Sequence, residues 1–329
     1  MINLVYNEQL KLWRKKRLIV ILALVAIIVA IFTYAQFRQH QEDEKQAGTS
    51  DWHVQTQQQI VDLENRLGTG RLPEEYQKYF KVLVGQLQYY LDHDINPNAP
   101  GAPTFLKTFV ENGISLLFPL FIMVIAADLI SAETSAGTMK FLLTRPVKRW
   151  RILTSKYVSM LLSISAIMVL SAVIAYLISG IVFGYGGWDA PVLTGFGMKD
   201  GAVTTTDVYQ LPVWQLLLME FGLAWFVSVV VGVLTMFVSV LVRSTAAVMG
   251  IMLASLITGT ILTNLVSSWP SAKYLFMVNL QLTNYLNGSS PPVEGMTLSF
   301  SMLVLTAWML VAFILSYFIF TNEMCIKER

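Results

Sequence analysis

The side chains best suited to binding or chemistry are concentrated in one stretch, residues 128–157. Six lysines and arginines lie there within 17 positions, although the 329-residue chain has a net charge of only +2. They are Lys140, Arg145, Lys148, Arg149, Arg151 and Lys156. Such a cluster can bind anionic lipid headgroups, orient a membrane protein or contact an acidic partner. Its charge alone is already explained by lipid binding and topology.

Patterns for catalysis and nucleotide binding are absent from the sequence. It contains no H-E-x-x-H, G-x-S-x-G or G-x-x-x-x-G-K-[ST] stretch. The three histidines, His40, His53 and His93, do not have the spacing of zinc ligands. We therefore expect no catalytic residue, no metal and no ATP bound by this chain, and the near-neutral charge gives no indication of nucleic-acid binding.

A separate carboxylate, Glu220, interrupts an apolar run that begins at Val213. Seven residues of helix place it roughly 10 Å from the end of that run. An ionised carboxylate at the centre of a bilayer costs about 2.5–3.5 kcal/mol on insertion scales, and such residues commonly serve function. Glu220 therefore lies either on a substrate path or, because a long helix overhangs the hydrocarbon core, near the outer headgroups.

The elements that position these residues are membrane spans. Hydrophobic residues make up 55% of the chain and charged residues 13%, far from a soluble composition. Six apolar runs are each long enough to cross a bilayer. They are 18–37, 109–130, 158–183, 213–242, 245–266 and 298–320. The sequence thus predicts an all-α integral membrane protein with six transmembrane helices.

The distribution of basic residues predicts the orientation. Five lie before the first span, six in residues 131–157, one at Arg243 and two in the C-terminal tail, against two in the short loops opposite. Loops rich in lysine and arginine stay in the cytoplasm. Both termini are therefore expected in the cytoplasm, in a multi-pass protein of the cell membrane that contacts membrane lipids.

Three regions follow from this topology. Residues 1–37 comprise the basic N-terminus and first span, and residues 108–329 contain the other five spans. Between them, residues 38–107 form an extracytoplasmic insertion with two helical stripes, which predict an antiparallel hairpin. Residues 184–212 are expected to form a plain loop. Residues 267–297 are expected to include a surface-lying or re-entrant helix.

Inside the basic stretch, the sequence predicts two short helices separated at Pro146, because the residue before a proline disfavours the helical conformation. In the second helix, Val147, Trp150, Leu153 and Tyr157 share one face, with basic residues opposite. The stretch would then present an apolar patch to the cytoplasm, and such a patch favours a partner.

The same residues carry a family resemblance. The spacing E-x3-GT-x3-LL-x2-P-V-x-R-x6-K resembles that of type-2 ABC exporter permeases. In this sequence the pattern falls on Glu133, Gly137, Thr138, Leu142, Leu143, Pro146, Val147, Arg149 and Lys156. The number of spans and the position of the loop after the second span agree with that family.

The resemblance implies that residues 128–157 contain a coupling helix that docks into an ABC ATPase on another polypeptide. ATP and magnesium would be bound by that ATPase. The transporter would be completed by a second copy of this chain or by a paralogous permease, and the 38–107 insertion is longer than in the shortest family members.

A different class of function also fits the sequence. A membrane-anchored sensor or assembly module would bind a ligand through the insertion and recruit a cytoplasmic partner through the loop, without transport. A neighbouring gene for an ABC ATPase would favour the exporter, whereas a neighbouring kinase or response regulator would favour the sensor.

Overall fold

The computed structural model describes residues 1–49, 51–68, 74–97, 99–138, 147–199, 202–204, 208–242, 244–265, 269–289, 291–293 and 295–322. The α-helices of this part of the chain are α1 (Ile2–Arg14), α2 (Arg17–Ala47), α3 (Trp52–Gly68), α4 (Glu74–Asp92), α5 (Ala102–Gly113), α6 (Leu117–Ser135), α7 (Arg149–Phe183), α8 (Val213–Leu241), α9 (Thr245–Leu265) and α10 (Leu298–Asn322).

The fold class predicted from the sequence is confirmed. The chain is an all-α integral membrane protein, 80% helical, and six helices in its described part are long and apolar enough to cross a membrane. These are α2, α6, α7, α8, α9 and α10. The expected boundary at residue 37 falls inside α2, which continues to Ala47 without a break.

The centre of the bundle is formed by α6 and α8, with α7 and α10 packed around α8 and α2 packed on α7. Small residues permit the closest approaches. A Cβ atom at Gly232 of α8 would lie 2.9 Å from the sulfur of Met160 on α7. Close van der Waals packing between these helices holds the spans together, because lipid tails are as apolar as the side chains and supply no hydrophobic driving force.

The second span differs from the expectation, because the apolar run from Phe109 is not one helix. It is divided at residues 114–116 into α5 and α6, and the span proper is Leu117–Ser135. Gly113 has low helical propensity, and Pro119 lacks the amide that would bond residue 115. The phenyl ring of Phe118 also fills the space beside Gly113, 2.9 Å from where a Cβ would stand.

One end of the bundle, called here the hairpin end, carries the residues between the first and second spans. Helices α3 and α4 pack together, and the His53 Nε2 atom lies 2.8 Å from Asp94 Oδ1, so the two helices run antiparallel. Tyr90 of α4 is buried against Leu193 and Phe196. The two helices therefore rest on the loops that connect the spans.

Two of these loops are more ordered than the sequence indicated. The stretch expected to be a plain loop contains two antiparallel two-stranded sheets, β1 (Pro191–Thr194) with β4 (Tyr209–Pro212) and β2 (Gly197–Lys199) with β3 (Ala202–Thr204). In the 267–297 stretch, the described residues form three short 3-10 turns between residues 270 and 285 rather than an α-helix. One turn packs against both α9 and α10.

The opposite end, called here the α1 end, gathers the N-terminal helix, the close of α6 and the start of α7. Gln9 of α1 donates from Nε2 to the backbone oxygen of Ser159 on α7, at 2.8 Å. Ser131 of α6 donates to the carbonyl oxygen of Val242, at 3.2 Å. The described residues next to the segments that charge assigns to the cytoplasm therefore include α1, the end of α6, the start of α7 and Val242, which lie together at one end of the bundle.

Candidate functional site

The predicted coupling residues are only partly within the described chain. Leu142, Leu143 and Pro146 lie outside the described residues. The structure places Glu133, Gly137 and Thr138 at the end of α6. Arg149 and Lys156 lie on the first two turns of α7.

Four charged side chains from three helices form a closed ring at the α1 end. Lys156 Nζ lies 2.9 Å from Glu8 Oε2 and 2.7 Å from Glu133 Oε2. Lys11 Nζ lies 2.7 Å from Glu8 Oε1 and 2.6 Å from Glu133 Oε1. Each lysine therefore bridges both glutamates, and the set is neutral. We call Glu8, Lys11, Glu133 and Lys156 the charge ring.

Lys156 is the buried member of the charge ring, with 0% of its side chain exposed. Its third hydrogen bond is donated to the carbonyl oxygen of Leu129, at 2.6 Å. An ammonium group has three protons, and all three are used here, which is why a lysine can be buried at this position. Lys156 therefore joins α7 to α6 and α1, and its predicted place on an exposed basic face is wrong.

Lys11 occupies the outer side of the charge ring, with 44% of its side chain exposed. Burial by itself would lower the pKa of this ammonium, but the hydrogen bonds to Glu133 and Glu8 outweigh it and raise the pKa above its usual value. Lys11 therefore stays charged over the whole physiological range.

Gly137 ends α6 through its backbone. Its φ of +69° is left-handed, directly after the helix closes at Ala136, and no atom lies within 4 Å of a Cβ built there. A glycine in this conformation is a common helix terminator. The hydroxyl of Thr138 donates to the carbonyl of Glu133 at 3.2 Å, which covers one free carbonyl of the last turn. Both residues thus shape the exit from α6.

The start of α7 presents basic and aromatic groups. Trp150 is 45% exposed, as expected for the apolar patch, whereas Leu153 and Tyr157 of the same face are buried. The Arg151 guanidinium lies 5.4 Å from the ring centroid of Trp150. Arg149 Nη1 is buried and bonds no described residue. The Lys148 side chain is exposed. The exposed groups of this surface are therefore basic and aromatic.

A second set of ion pairs fixes the N-terminal segment to α6. Asp128 lies 2.8 Å from Lys15 and 2.9 Å from Arg17, with 1% of its side chain exposed. Both partners come from the basic N-terminal segment, more than 110 positions before Asp128 in the sequence. A cavity of about 380 Å³ lies between this pair and the charge ring, lined by α1 and α6.

Sequence reasoning missed α1 and, with it, half of the charge ring. The residues of α1 that face the bundle are Leu4, Val5, Glu8, Gln9 and Leu12. Their spacing follows one face of a helix. Glu8 in the middle made that face look polar, and only its pairing with Lys156 explains how the residue can be buried.

Glu220, the predicted substrate-path residue, is fully buried, and neither carboxylate oxygen bonds a described residue. The charged groups that act on it are Glu111 and Lys107 of α5. Glu111 accepts a hydrogen bond from Asn287 at 2.7 Å. The residue therefore faces the protein interior near the hairpin end.

The fold and the site together define a class: an integral membrane protein of six spanning helices whose second and third spans are tied to an N-terminal helix by buried charges. The chain belongs to the family described as Protein of unknown function (DUF2705), whose profile matches residues 76–323.

Two relatives from Bacillus subtilis (strain 168) resemble this chain. The Uncharacterized protein YhcI is 25% identical over 326 residues, covering 98% of this chain and 99% of that protein. The Uncharacterized membrane protein YdbK is 29% identical over 196 residues, covering 58% of this chain and 71% of that protein. The description of YdbK as a membrane protein agrees with the membrane-embedded fold of this chain.

Proposed function

We propose that this protein is the transmembrane permease subunit of an ATP-driven exporter of the type-2 ABC class. It would lie in the cell membrane with both termini in the cytoplasm. A separate ABC ATPase would dock on the loop between α6 and α7, and a second permease would complete the transporter. ATP hydrolysis by the partner would move a lipid, drug-like or peptide substrate outward.

The observation that carries this proposal is the ion pair between Glu133 and Lys156. These residues lie near the two ends of the loop, 23 positions apart, and are held at 2.7 Å. A force on the loop therefore acts on α6 and α7 together, because separating a buried, fully bonded ion pair costs about 3–5 kcal/mol. Through Glu8, the same force acts on α1.

The surface beside the loop suits an acidic partner. The buried Nη1 atom of Arg149 forms no hydrogen bond with any described residue. Lys148 and Trp150 are exposed next to it. Arginine pairs strongly with carboxylates, and tryptophan is enriched where proteins bind one another. We expect an ATPase groove with at least one carboxylate facing Arg149.

Glu220 would lie on the substrate path in this proposal. A fully buried carboxylate beside a second one, Glu111, is costly, and such residues inside a membrane protein commonly contact what is transported. Glu220 lies on α8, one of the two central helices of the bundle, and we expect a rearrangement of the spans to expose it to the substrate.

The experiment is to copurify the chain with the ABC ATPase encoded beside it, reconstitute the complex in lipid vesicles and measure ATP hydrolysis. We expect Arg149→Gln to weaken the complex. Glu133→Gln should leave the complex assembled but lower hydrolysis, because the loop is no longer tied to α7. Lys16→Gln, in the basic N-terminus away from the charge ring, serves as the control.

Failure to form a complex with any ABC ATPase would refute the proposal, as would unchanged hydrolysis in both variants. A complex with a kinase or a response regulator instead would favour the sensor or assembly module.

A further inference from the structure

A cavity at the hairpin end has no role in the proposed transport cycle. Its volume is about 440 Å³, within the usual range for small-molecule sites. Its walls come from the end of α2, the first half of α3, the turn before α5 and the start of α5. Because the lining comes from these segments and from the end of α7, the cavity exists only in the folded protein.

The floor of this cavity is aromatic. Phe105 of α5 and Phe183 of α7 line it, with ring centroids 6.3 Å apart in a stacked arrangement. Phe32 supports Phe105 from behind, edge to face, at 5.8 Å. Trp52 at the start of α3 forms part of the wall. The ring of His53 stacks on Trp52, with their centroids 3.8 Å apart.

The rim of the cavity is polar and acidic. Asp43 and Glu44 of α2 line it, and neither carboxylate has an ion pair or hydrogen bond to any described residue. Two ionisable neighbours act on Asp43 with opposite signs: the imidazole of His40, which also lines the cavity, and the carboxylate of Glu42. No lysine or arginine is among the described residues of the lining.

Amide side chains complete the rim. Gln36, Gln39 and Gln59 line the cavity, and no described residue bonds their amides. Free amides offer both donors and acceptors to a polar group. A ligand here would find hydrogen bonds at the rim and an apolar surface beneath it.

We infer that this cavity binds a cationic amphiphile, a molecule with a protonated amine at its head and an alkyl or aromatic body. The unpaired carboxylates attract a cation and repel phosphate or sulfate. Aromatic rings add a further attraction for ammonium groups. The apolar floor is formed at the start of α5 and at the end of α7, which is a membrane-spanning helix, so an amphiphile can enter from the membrane with its head at the rim.

The test uses the full chain in discs of zwitterionic lipid, without ATP or any partner protein. Three probes with the same brominated dodecyl chain carry an amine, a hydroxyl or a sulfate, and bromine quenches tryptophan on contact. Quenching that is lost in Trp52→Phe reports occupancy of the cavity. We expect saturable quenching by the amine only.

Two charge variants locate the head. Asp43→Asn should raise the dissociation constant of the amine by about tenfold, as expected for the loss of one charge-assisted hydrogen bond. Glu44→Gln provides a second measurement if the first variant folds poorly. Asp62→Asn, which removes an exposed acid on α3 outside the cavity lining, should bind as the unchanged protein does.

Saturable binding of the hydroxyl or sulfate probe equal to that of the amine probe would overturn the inference, because the acidic rim would then not favour a cationic headgroup. So would identical quenching in the unchanged protein and in Trp52→Phe. Because no ATPase is present, either result leaves the exporter proposal standing, and failure of the exporter proposal leaves this binding site intact.

Discussion

Replacing Lys156 with methionine removes the cation that two glutamates share, at nearly constant side-chain volume. The side chains of Glu8 and Glu133 are only 7% and 14% exposed, so water cannot replace the lost ammonium. Lys11 remains as the one cation near two carboxylates. We expect the variant to fold with α1 loosened from the bundle.

The magnitude follows from the contacts that disappear. Two ion pairs, at 2.9 and 2.7 Å, and one bond to a carbonyl, at 2.6 Å, are lost together. Removing one partner of a buried ion pair costs about 3–5 kcal/mol, because the other charge stays buried. An exposed pair contributes about 0–1 kcal/mol. Lys11→Met, at the partly exposed side of the same ring, is therefore the matched control and should cost less.

The free energy of unfolding can be measured by titrating the detergent-purified protein with sodium dodecyl sulfate and following helix content by circular dichroism. Trypsin cleavage after Arg14 reports separately on release of α1. A third variant combines Lys156→Met with Glu8→Gln and Glu133→Gln. It should recover most of the stability, because a buried charged set replaced by neutral groups is often no less stable.

The reasoning would be refuted if Lys156→Met cost no more than Lys11→Met. A triple variant less stable than Lys156→Met alone would also refute it. The loss of unfolding free energy in Lys156→Met would then not arise from the unpaired charges of Glu8 and Glu133.

Three further perturbations test other parts of the structure. Glu220→Gln should lower substrate transport by about tenfold, equivalent to 1.4 kcal/mol, while leaving assembly with the ATPase unchanged. His53 has a raised pKa because two aspartates bond its ring, so its contribution to holding α3 against α4 is complete below about pH 6.5 and is lost as the pH rises through the folded pKa. Hydrogen exchange of α3 should quicken over that rise, and His53→Gln should remove the change. Gly288→Ala should destabilise the hairpin end by about 1–3 kcal/mol, because φ is +67° and the new Cβ would overlap Phe196.

Each of these has a contradicting result. Unchanged transport in Glu220→Gln would show that this residue is not on the substrate path. Hydrogen exchange of α3 that does not depend on pH would show that His53 does not hold α3 against α4. Gly295 offers a control for the glycine, since its φ is +81° but no atom lies within 4 Å of its Cβ position. Gly295→Ala should therefore cost less than Gly288→Ala.

Many features were predictable because they depend on local composition. Runs of about twenty apolar residues specify spans wherever they occur, since a bilayer accepts only helices of that length with their backbone bonds satisfied. The six spans follow from this rule. Gly137 was identified by its place in a spacing pattern, and its left-handed φ now gives the position a physical role.

Other features depend on residues far apart in the sequence. The pairing of β1 with β4 is stabilised by Tyr90 of α4, whose hydroxyl donates to the carbonyl of Leu193 at 3.3 Å. No local sequence pattern predicts this pairing. The break between α5 and α6 was overlooked because Gly113 and Pro119 sit inside an apolar run that satisfies every criterion for one span.

The sequence by itself determined that this is a six-span membrane protein and where its basic segments lie, because both depend on composition and charge along the chain. The tertiary structure alone decided which charges meet. Lys156 was one of six basic residues in a conspicuous stretch, yet it is buried against Glu133 and Glu8, the latter 148 positions away. Its burial is possible because α1 and α6 pack against α7 and supply one acceptor for each of the three protons on its ammonium group.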